Sequence, residues 1–231
     1  MLIEIWSDFA CPFCYIGKKR FESALQQFKY KDNVEVIYKS YQLNPNAPKT
    51  MMGSAYELFS KTHHLPVEQV KQRFKLISES AKTVGLTFDY DHIQMTNTRD
   101  AHRLYQYAQT MGKGAIMAEA LMQAYFTEGR NLSDKQTLLA LSNGLGLDLK
   151  TVEHVLDENQ FEDIVKQDFQ EAKQIGVQGV PFFVINREYG VSGAQDSAYF
   201  LQVLNQIYTE EQNQPMHTRQ NQVCEGDYCE R

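Results

Sequence analysis

The sequence predicts an α/β domain that is interrupted by a large all-helical insertion. Three observations predict this fold class. Near the start, an apolar run, a helical pattern and a β-rich segment follow one another. About one hundred residues of mainly helical periodicity come next, and two further strand patterns and a helix follow them. Because neither end has enough strands for a stable sheet, we expect the strands on both sides of the insertion to share one sheet.

The first part of the α/β domain is predicted over residues 1–48. Residues 2–6 form a short apolar strand, and a helix is expected over residues 12–28. Pro12 suits the first turn of that helix, where its missing N–H costs nothing. Residues 33–41 are rich in β-branched and aromatic side chains and predict a second strand.

The helical insertion is predicted over residues 49–160. The pattern Asn44-Pro45-Asn46-Ala47-Pro48 breaks the preceding strand and marks the boundary. Apolar positions spaced by three and four then predict a series of helices. These are expected at residues 66–84, 98–111 and 114–128, after a capping box formed by Ser133 and Gln136, and at residues 148–156.

The second part of the α/β domain is predicted over residues 161–208. It begins with a helix at residues 161–175 and continues with strands at residues 182–185 and 188–192. The link Asn186-Arg187 predicts that these strands form a hairpin. Asp196 is expected to cap a last helix that ends at Tyr208, and the polar residues 209–231 are expected to form a flexible C-terminal tail.

Composition excludes several classes of function. The 29 acidic and 23 basic side chains give a net charge of −6, which argues against a nucleic-acid partner. The longest apolar run, residues 180–185, is too short to span a membrane. Residues 1–8 lack the basic region of a signal peptide, so we expect a cytoplasmic protein.

Two close pairs of cysteines suggest redox or metal chemistry. Cys11 and Cys14 follow a strand and open a helix, which is the context of a thioredoxin-like redox motif. The helix N-terminus stabilises a thiolate, so Cys11 is the expected nucleophile, and Cys14, one turn on, can resolve a mixed disulfide. Two ordinary buried thiols, or a zinc site built with Cys224 and Cys229, are the alternatives.

Val180-Pro181 is the second element of the predicted site. A proline that begins a strand leaves the backbone groups of its neighbour free to pair with an extended chain. From the sequence pattern alone, Pro181 is simply a proline at the start of a strand.

Several motifs together resemble the DsbA family, specifically its cytoplasmic FrnE-like branch. They are DFACPFCYIG at 8–17, NTRDAHR at 97–103, AYFTEG at 124–129, GVQGVPFFVI at 176–185 and VSGAQ at 191–195. The resemblance covers about residues 1–208. It implies a thioredoxin-like fold with a helical insertion, and exchange of dithiols with disulfides. By this resemblance Cys11 would be the nucleophile, Cys14 the resolving thiol and Pro181 a cis-proline beside them. We expect Pro12, Phe13, Val180 and Pro181 to bind the substrate.

Two departures from related families affect the expected chemistry. Phe13 stands where the FrnE-like branch often has Trp and periplasmic DsbA has His, and a phenyl ring offers the Cys11 thiolate no donor. We therefore expect a less oxidising site than that of DsbA. The related hydroxychromene-carboxylate isomerases and kappa-class glutathione transferases use Ser at the position of Cys11, so Cys11 with Cys14 favours redox chemistry.

The leading hypothesis is a thiol–disulfide oxidoreductase or isomerase acting on protein, peptide or glutathione-type substrates. A glutathione-dependent isomerase or transferase, and a zinc- or redox-regulated binding module, are the rivals. We expect no metal and no bound cofactor, with glutathione as a candidate reductant or co-substrate. His102 lies on an amphipathic helix, which favours a packed or capping role over a catalytic one.

Cys224 and Cys229 are predicted to form a second redox pair. Gly226-Asp227 lies between them and allows the chain to turn back on itself, so a disulfide is sterically reasonable. An extended linker from Thr209 to Cys224 spans up to ~50 Å, and a compact chain of this length has a radius of gyration of ~17 Å. The pair could therefore exchange electrons with Cys11 and Cys14. An exposed disulfide or two idle thiols are the alternatives.

Overall fold

The computed structural model describes residues 1–213, and its centre is one four-stranded sheet. Strands β1 (Leu2–Ser7), β2 (Glu35–Ser40), β3 (Phe182–Ile185) and β4 (Tyr189–Ser192) are arranged in the order β2-β1-β3-β4. β1 is parallel to β2 and antiparallel to β3, and β4 is antiparallel to β3. The prediction that strands from both sides of the insertion share a sheet is confirmed.

Within the described residues, nine α-helices pack around this sheet or form the segment inserted between β2 and β3. Helix α1 (Pro12–Gln27) and a 3-10 turn (Lys31–Asn33) connect β1 to β2. Six helices follow between β2 and the last helix before β3. They are α2 (Ala55–His63), α3 (Val67–Lys82), α4 (Arg99–Thr110), α5 (Gly114–Phe126), α6 (Lys135–Gly144) and α7 (Leu149–Asp157). Helix α8 (Glu162–Gln174) precedes β3, and α9 (Ser197–Asn213) follows β4.

The alternation of side chains along β1 builds a core on each face of the sheet. Ile3 and Ile5 face α1 and α9, where Phe21, Phe183 and Phe200 meet with ring centroids 4.7–5.6 Å apart. Trp6 points to the other face, and its Nε1 donates to the carbonyl of Asp168 in α8 at 2.8 Å. Helices therefore cover both faces and leave the carboxyl end of β1 to form the site.

The predicted hairpin is confirmed. Asn186 and Arg187 have φ of 53° and 61°, and a two-residue link with both φ values positive matches the twist of the strands that it joins. Val180–Pro181, just before β3, is a cis peptide bond, as the family resemblance predicts.

Three details differ from the sequence predictions. Helix α2 was not predicted, although Ser54 and Glu57 form its capping box. Helix α6 begins one residue later than predicted, because Asp134 rather than Ser133 caps it by accepting from the Thr137 amide at 2.8 Å. The last helix extends through Asn213, so residues 209–213 are helical rather than part of a flexible tail. The remainder of the predicted tail lies outside the described residues, and the domain boundaries stay predictions.

In residues 1–213, no helix combines the length and the apolar character needed to cross a membrane.

Candidate active site

The turn between β1 and α1 places both cysteines of the CPFC motif. Cys11 is the N-cap of α1, with extended backbone angles (φ −94°, ψ 116°). Pro12 occupies the first turn, where no partner for a backbone N–H is needed. The amides of Cys14 and Tyr15 donate to the carbonyl of Cys11 at 3.1 and 3.3 Å. The two cysteines therefore lie within one helical turn, as the spacing predicts.

The sulfur of Cys11 lies against the loop that precedes β3. Cys11 and Cys14 are free thiols with only 3% and 2% of their surface exposed. The Cys11 thiol donates to the carbonyl oxygen of Val180 at 3.6 Å. The carbonyl of Pro181 in turn accepts from the amide of Gly193 at 2.9 Å, which ties the loop to the end of the hairpin. Cys11 and the Val180–Pro181 pair, which are 169 positions apart in the chain, are thus in direct contact.

Cys14 is the more deeply placed thiol. Its sulfur accepts a hydrogen bond from the main-chain N–H of Asp8 at 3.5 Å. Burial raises the pKa of the Cys14 thiol well above its ordinary value, and its hydrogen bond with Cys11 and the charge of Cys11 raise it further. Cys14 therefore stays protonated in the resting dithiol.

Asp8 is a buried acid directly before the CPFC motif. Burial acts to raise the pKa of its carboxyl. The interaction with His102 and the hydrogen bonds with the Leu43 amide and the Thr98 side chain outweigh burial, so the pKa is lowered. The Leu43 amide donates to Oδ2 at 2.8 Å, and the Ala10 amide donates to Oδ1 at 3.3 Å. Asp8 was not among the predicted site residues, although an acid at the end of a buried strand is a usable signal.

His102 reaches the same place from α4 in the insertion. Its Nε2 lies 3.5 Å from Oδ1 of Asp8, which is an ion-pair distance without hydrogen-bond alignment. The ring packs on Phe9 with centroids 4.6 Å apart, and only 1% of the residue is exposed. The expected packed role is therefore observed, but with a buried carboxylate as neighbour.

The insertion also packs against the first turns of α1. Tyr15 packs near Phe88 with ring centroids 6.0 Å apart, and its hydroxyl donates to Glu119 of α5 at 2.7 Å. The buried ammonium of Lys18 binds the same carboxylate. The helix that carries the dithiol is thus held by both parts of the fold.

Two apolar side chains in the segments that build the site are exposed to solvent. Phe13 is 47% exposed and Leu43 is 53% exposed, whereas Pro12 and Val180 are partly buried. Substrate contact by Pro12, Phe13, Val180 and Pro181 stays a prediction.

Cys224 and Cys229 lie outside the described residues. In the part of the chain that the structure covers, no group of three or more His, Cys, Asp or Glu side chains could hold a metal ion.

A family model for the DSBA-like thioredoxin domain matches residues 2–205. The chain belongs to this family. The predicted fold class, a thioredoxin-like fold with a helical insertion, and the predicted membership of the DsbA family are therefore confirmed. The FrnE-like branch stays a prediction.

Comparison with individual proteins agrees with this assignment. The structure of the probable DsbA oxidoreductase SCO1869 from Streptomyces coelicolor is 37% identical and covers 91% of each chain with a TM-score of 0.87. The uncharacterized protein YwbO from Bacillus subtilis is 27% identical over 79% of this chain and 86% of its own length.

Two more distant structures share the fold alone. A 2-hydroxychromene-2-carboxylate isomerase is 17% identical, with a TM-score of 0.69 over 93% of this chain and 100% of that chain. The cytosolic disulfide reductase DsbM from Pseudomonas aeruginosa is 16% identical, with a TM-score of 0.60 over 90% of this chain and 100% of that chain.

Proposed function

We propose that the protein is a thiol–disulfide oxidoreductase in which Cys11 is the nucleophile and Cys14 the resolving thiol. The observation that carries this proposal is the position of the Cys11 sulfur. It lies at the N-terminus of α1, 3.6 Å from the carbonyl of Val180, with a second thiol one turn away. A helix N-terminus favours a thiolate, and a neighbouring carbonyl beside a strand end can pair with an extended substrate.

The proposed reaction takes place in two exchanges. The Cys11 thiolate attacks a substrate disulfide, a mixed disulfide forms, and one substrate sulfur leaves as a thiolate and takes up a proton. Cys14 then loses its proton and attacks the Cys11 sulfur, which releases the second substrate sulfur. The substrate disulfide is reduced by two electrons, and the Cys11–Cys14 dithiol becomes a disulfide. The reverse sequence oxidises a substrate dithiol.

We infer that the substrates are extended protein or peptide disulfides, or mixed disulfides with glutathione. The exposed side chain of Phe13 lies within the CPFC motif, and Leu43, whose amide binds Asp8, is also exposed, so both offer apolar surface to a substrate. Glutathione is a reasonable reductant to test, because DsbM shares the fold and has also been solved with GSH. The cytosolic assignment of DsbM likewise supports the cytoplasmic location proposed for this chain.

Reduction of insulin disulfides by purified variants tests the proposal. Cys11→Ser should abolish activity, because the nucleophile is lost. Cys14→Ser should instead accumulate mixed disulfides that a non-reducing gel resolves, because attack persists while resolution does not. Unchanged activity of Cys11→Ser would overturn the assignment. Glutathione-dependent isomerisation without insulin reduction by the wild-type protein would favour the isomerase alternative.

A redox titration of the Cys11–Cys14 pair against glutathione tests the expectation that this site is less oxidising than that of DsbA. We expect Phe13→His to make the pair more oxidising, because an imidazole supplies a donor that stabilises the reduced thiolate form. Phe13→Leu is the matched control, since it also removes the phenyl ring but adds no hydrogen-bond donor. Equal potentials for the His and Leu variants would contradict this reasoning.

A further inference from the structure

Asp8 and His102 form a buried pair beside the resolving thiol. Asp8 contributes its main-chain N–H to the sulfur of Cys14 at 3.5 Å. Its carboxylate points away to the amides of Leu43 and Ala10 and to Nε2 of His102. One residue thus connects Cys14 to a histidine that lies 94 positions later in the chain and belongs to the insertion.

Packing alone does not account for His102. Among the described residues, neither of its ring nitrogens has a hydrogen-bond partner, although both are fully buried. A buried polar group without a hydrogen bond costs free energy, and an apolar side chain of similar size beside Phe9 would avoid that cost. The charged group within ion-pair distance of its ring is the Asp8 carboxylate.

We propose that His102 is a positioning residue for the resolving step. Its ring holds the Asp8 carboxylate and thereby keeps the Asp8 N–H directed at the sulfur of Cys14. This inference rests on the proposed dithiol exchange and goes beyond it, because it gives the helical insertion a part in the reaction.

The reason that the N–H matters lies in the second exchange. Cys14 loses its proton and its sulfur attacks Cys11, so the Cys11–Cys14 bond forms as the bond from Cys11 to the substrate breaks. The departing substrate thiolate takes up one proton, which balances the proton that Cys14 loses. A hydrogen bond to a charged acceptor is roughly twice as strong as one to a neutral acceptor, so the Asp8 N–H stabilises the Cys14 thiolate more than the thiol. Attack by Cys11 does not use this contact.

Stopped-flow reaction with a symmetrical aromatic disulfide separates the two exchanges, because each half of the reagent becomes coloured when released. Attack by Cys11 releases the first half and attack by Cys14 releases the second. For His102→Leu we expect a first phase within about twofold of wild type and a second phase slowed about tenfold or more. His102→Gln, which keeps a donor where Nε2 lies, should give an intermediate second phase.

Two further variants separate positioning from general stability. His92→Gln is the matched control, because His92 pairs with Asp89 at 2.8 Å on the surface, and both phases should match wild type. Asp8→Asn should slow only the second phase, and His102→Gln should then add no further effect.

Three results would overturn the inference. A wild-type second phase in both His102→Gln and Asp8→Asn excludes the positioning role, and this holds even if His102→Leu does not fold. Equal slowing of both phases in the His102 variants indicates a structural role only. A wild-type protein that releases only one half overturns the dithiol exchange itself, and this inference with it.

Discussion

Gly17 of α1 packs closely against Pro181 and Ala194, and we expect Gly17→Ala to disturb both stability and activity. An added Cβ would lie 3.0 Å from Cγ of Pro181, and 3.3 Å from both Cα and Cβ of Ala194. Alanine in a helix interior gains about 1 kcal/mol over glycine, whereas overpacking of this kind costs about 1–3 kcal/mol. The expected net loss is about 1 kcal/mol of unfolding free energy.

Urea denaturation measures this loss. With a slope of about 2.5 kcal/mol per molar urea, the midpoint of Gly17→Ala should fall by about 0.4 M at unchanged slope. Gly144→Ala is the matched control. Gly144 is the last residue of α6, and outside its chain neighbours and its own helix backbone no atom lies within 4 Å of an added Cβ, so its midpoint should stay level or rise.

The activity of Gly17→Ala should fall as well, because the loop that it displaces places the carbonyl of Val180 on the sulfur of Cys11. A misplacement of about 1 Å can cost a hundredfold in rate, so a shift of a few tenths of an ångström should cost about threefold to tenfold in insulin reduction. If Gly17→Ala were as stable and as active as Gly144→Ala, the packing between α1 and the proline loop would not constrain the site.

Two further predictions concern the insertion. Burial acts to raise the pKa of Glu119, but hydrogen bonds from Lys18 and neighbouring groups lower it to about 2. The unfolded carboxyl titrates at about 4.3, so the stabilisation is complete above about pH 5 and is lost as the pH falls toward 2. Glu119→Gln should flatten the acid limb of a urea-unfolding series, and exposed Glu68→Gln should not. Arg103→Leu should cost about 3 kcal/mol in urea unfolding, because the buried guanidinium binds two carbonyls of α7 and a carboxylate of α4. Arg99→Leu, which removes an ion pair at the surface, should cost under about 1 kcal/mol.

Local signals were sufficient for much of the fold and for the dithiol. The strand, the CPFC motif and the helix that follows are adjacent in sequence, so their geometry follows from short-range rules such as proline in the first turn. The same holds for the hairpin at Asn186-Arg187. Helix α2 has an equally local signal, the capping box from Ser54 to Glu57, but the segment before it is rich in helix-breaking residues, which obscures this signal.

Long-range contacts explain what the sequence did not show. Helix α9 continues to Asn213, beyond the predicted end at Tyr208, and Tyr189 in β4 donates to Glu210 in its added turn at 2.7 Å. The pairing of Asp8 with His102 depends on how α4 docks against the end of β1, which no periodicity specifies. A pattern can therefore predict that a histidine is buried without predicting which charge it is buried beside.

The fold does not by itself separate the redox reaction from the isomerase reaction, because oxidoreductases and an isomerase share it. The discrimination depends on the chemistry at positions 11 and 14. A sulfur at position 11 alone could support a glutathione-linked reaction, whereas a second thiol one turn away gives any mixed disulfide a fast intramolecular route to release. Because its pKa is raised, Cys14 stays protonated and does not react until the mixed disulfide forms. Under the proposed dithiol exchange, the contact between the Cys14 sulfur and the Asp8 amide is therefore part of what separates a redox reaction from an isomerase reaction on this fold.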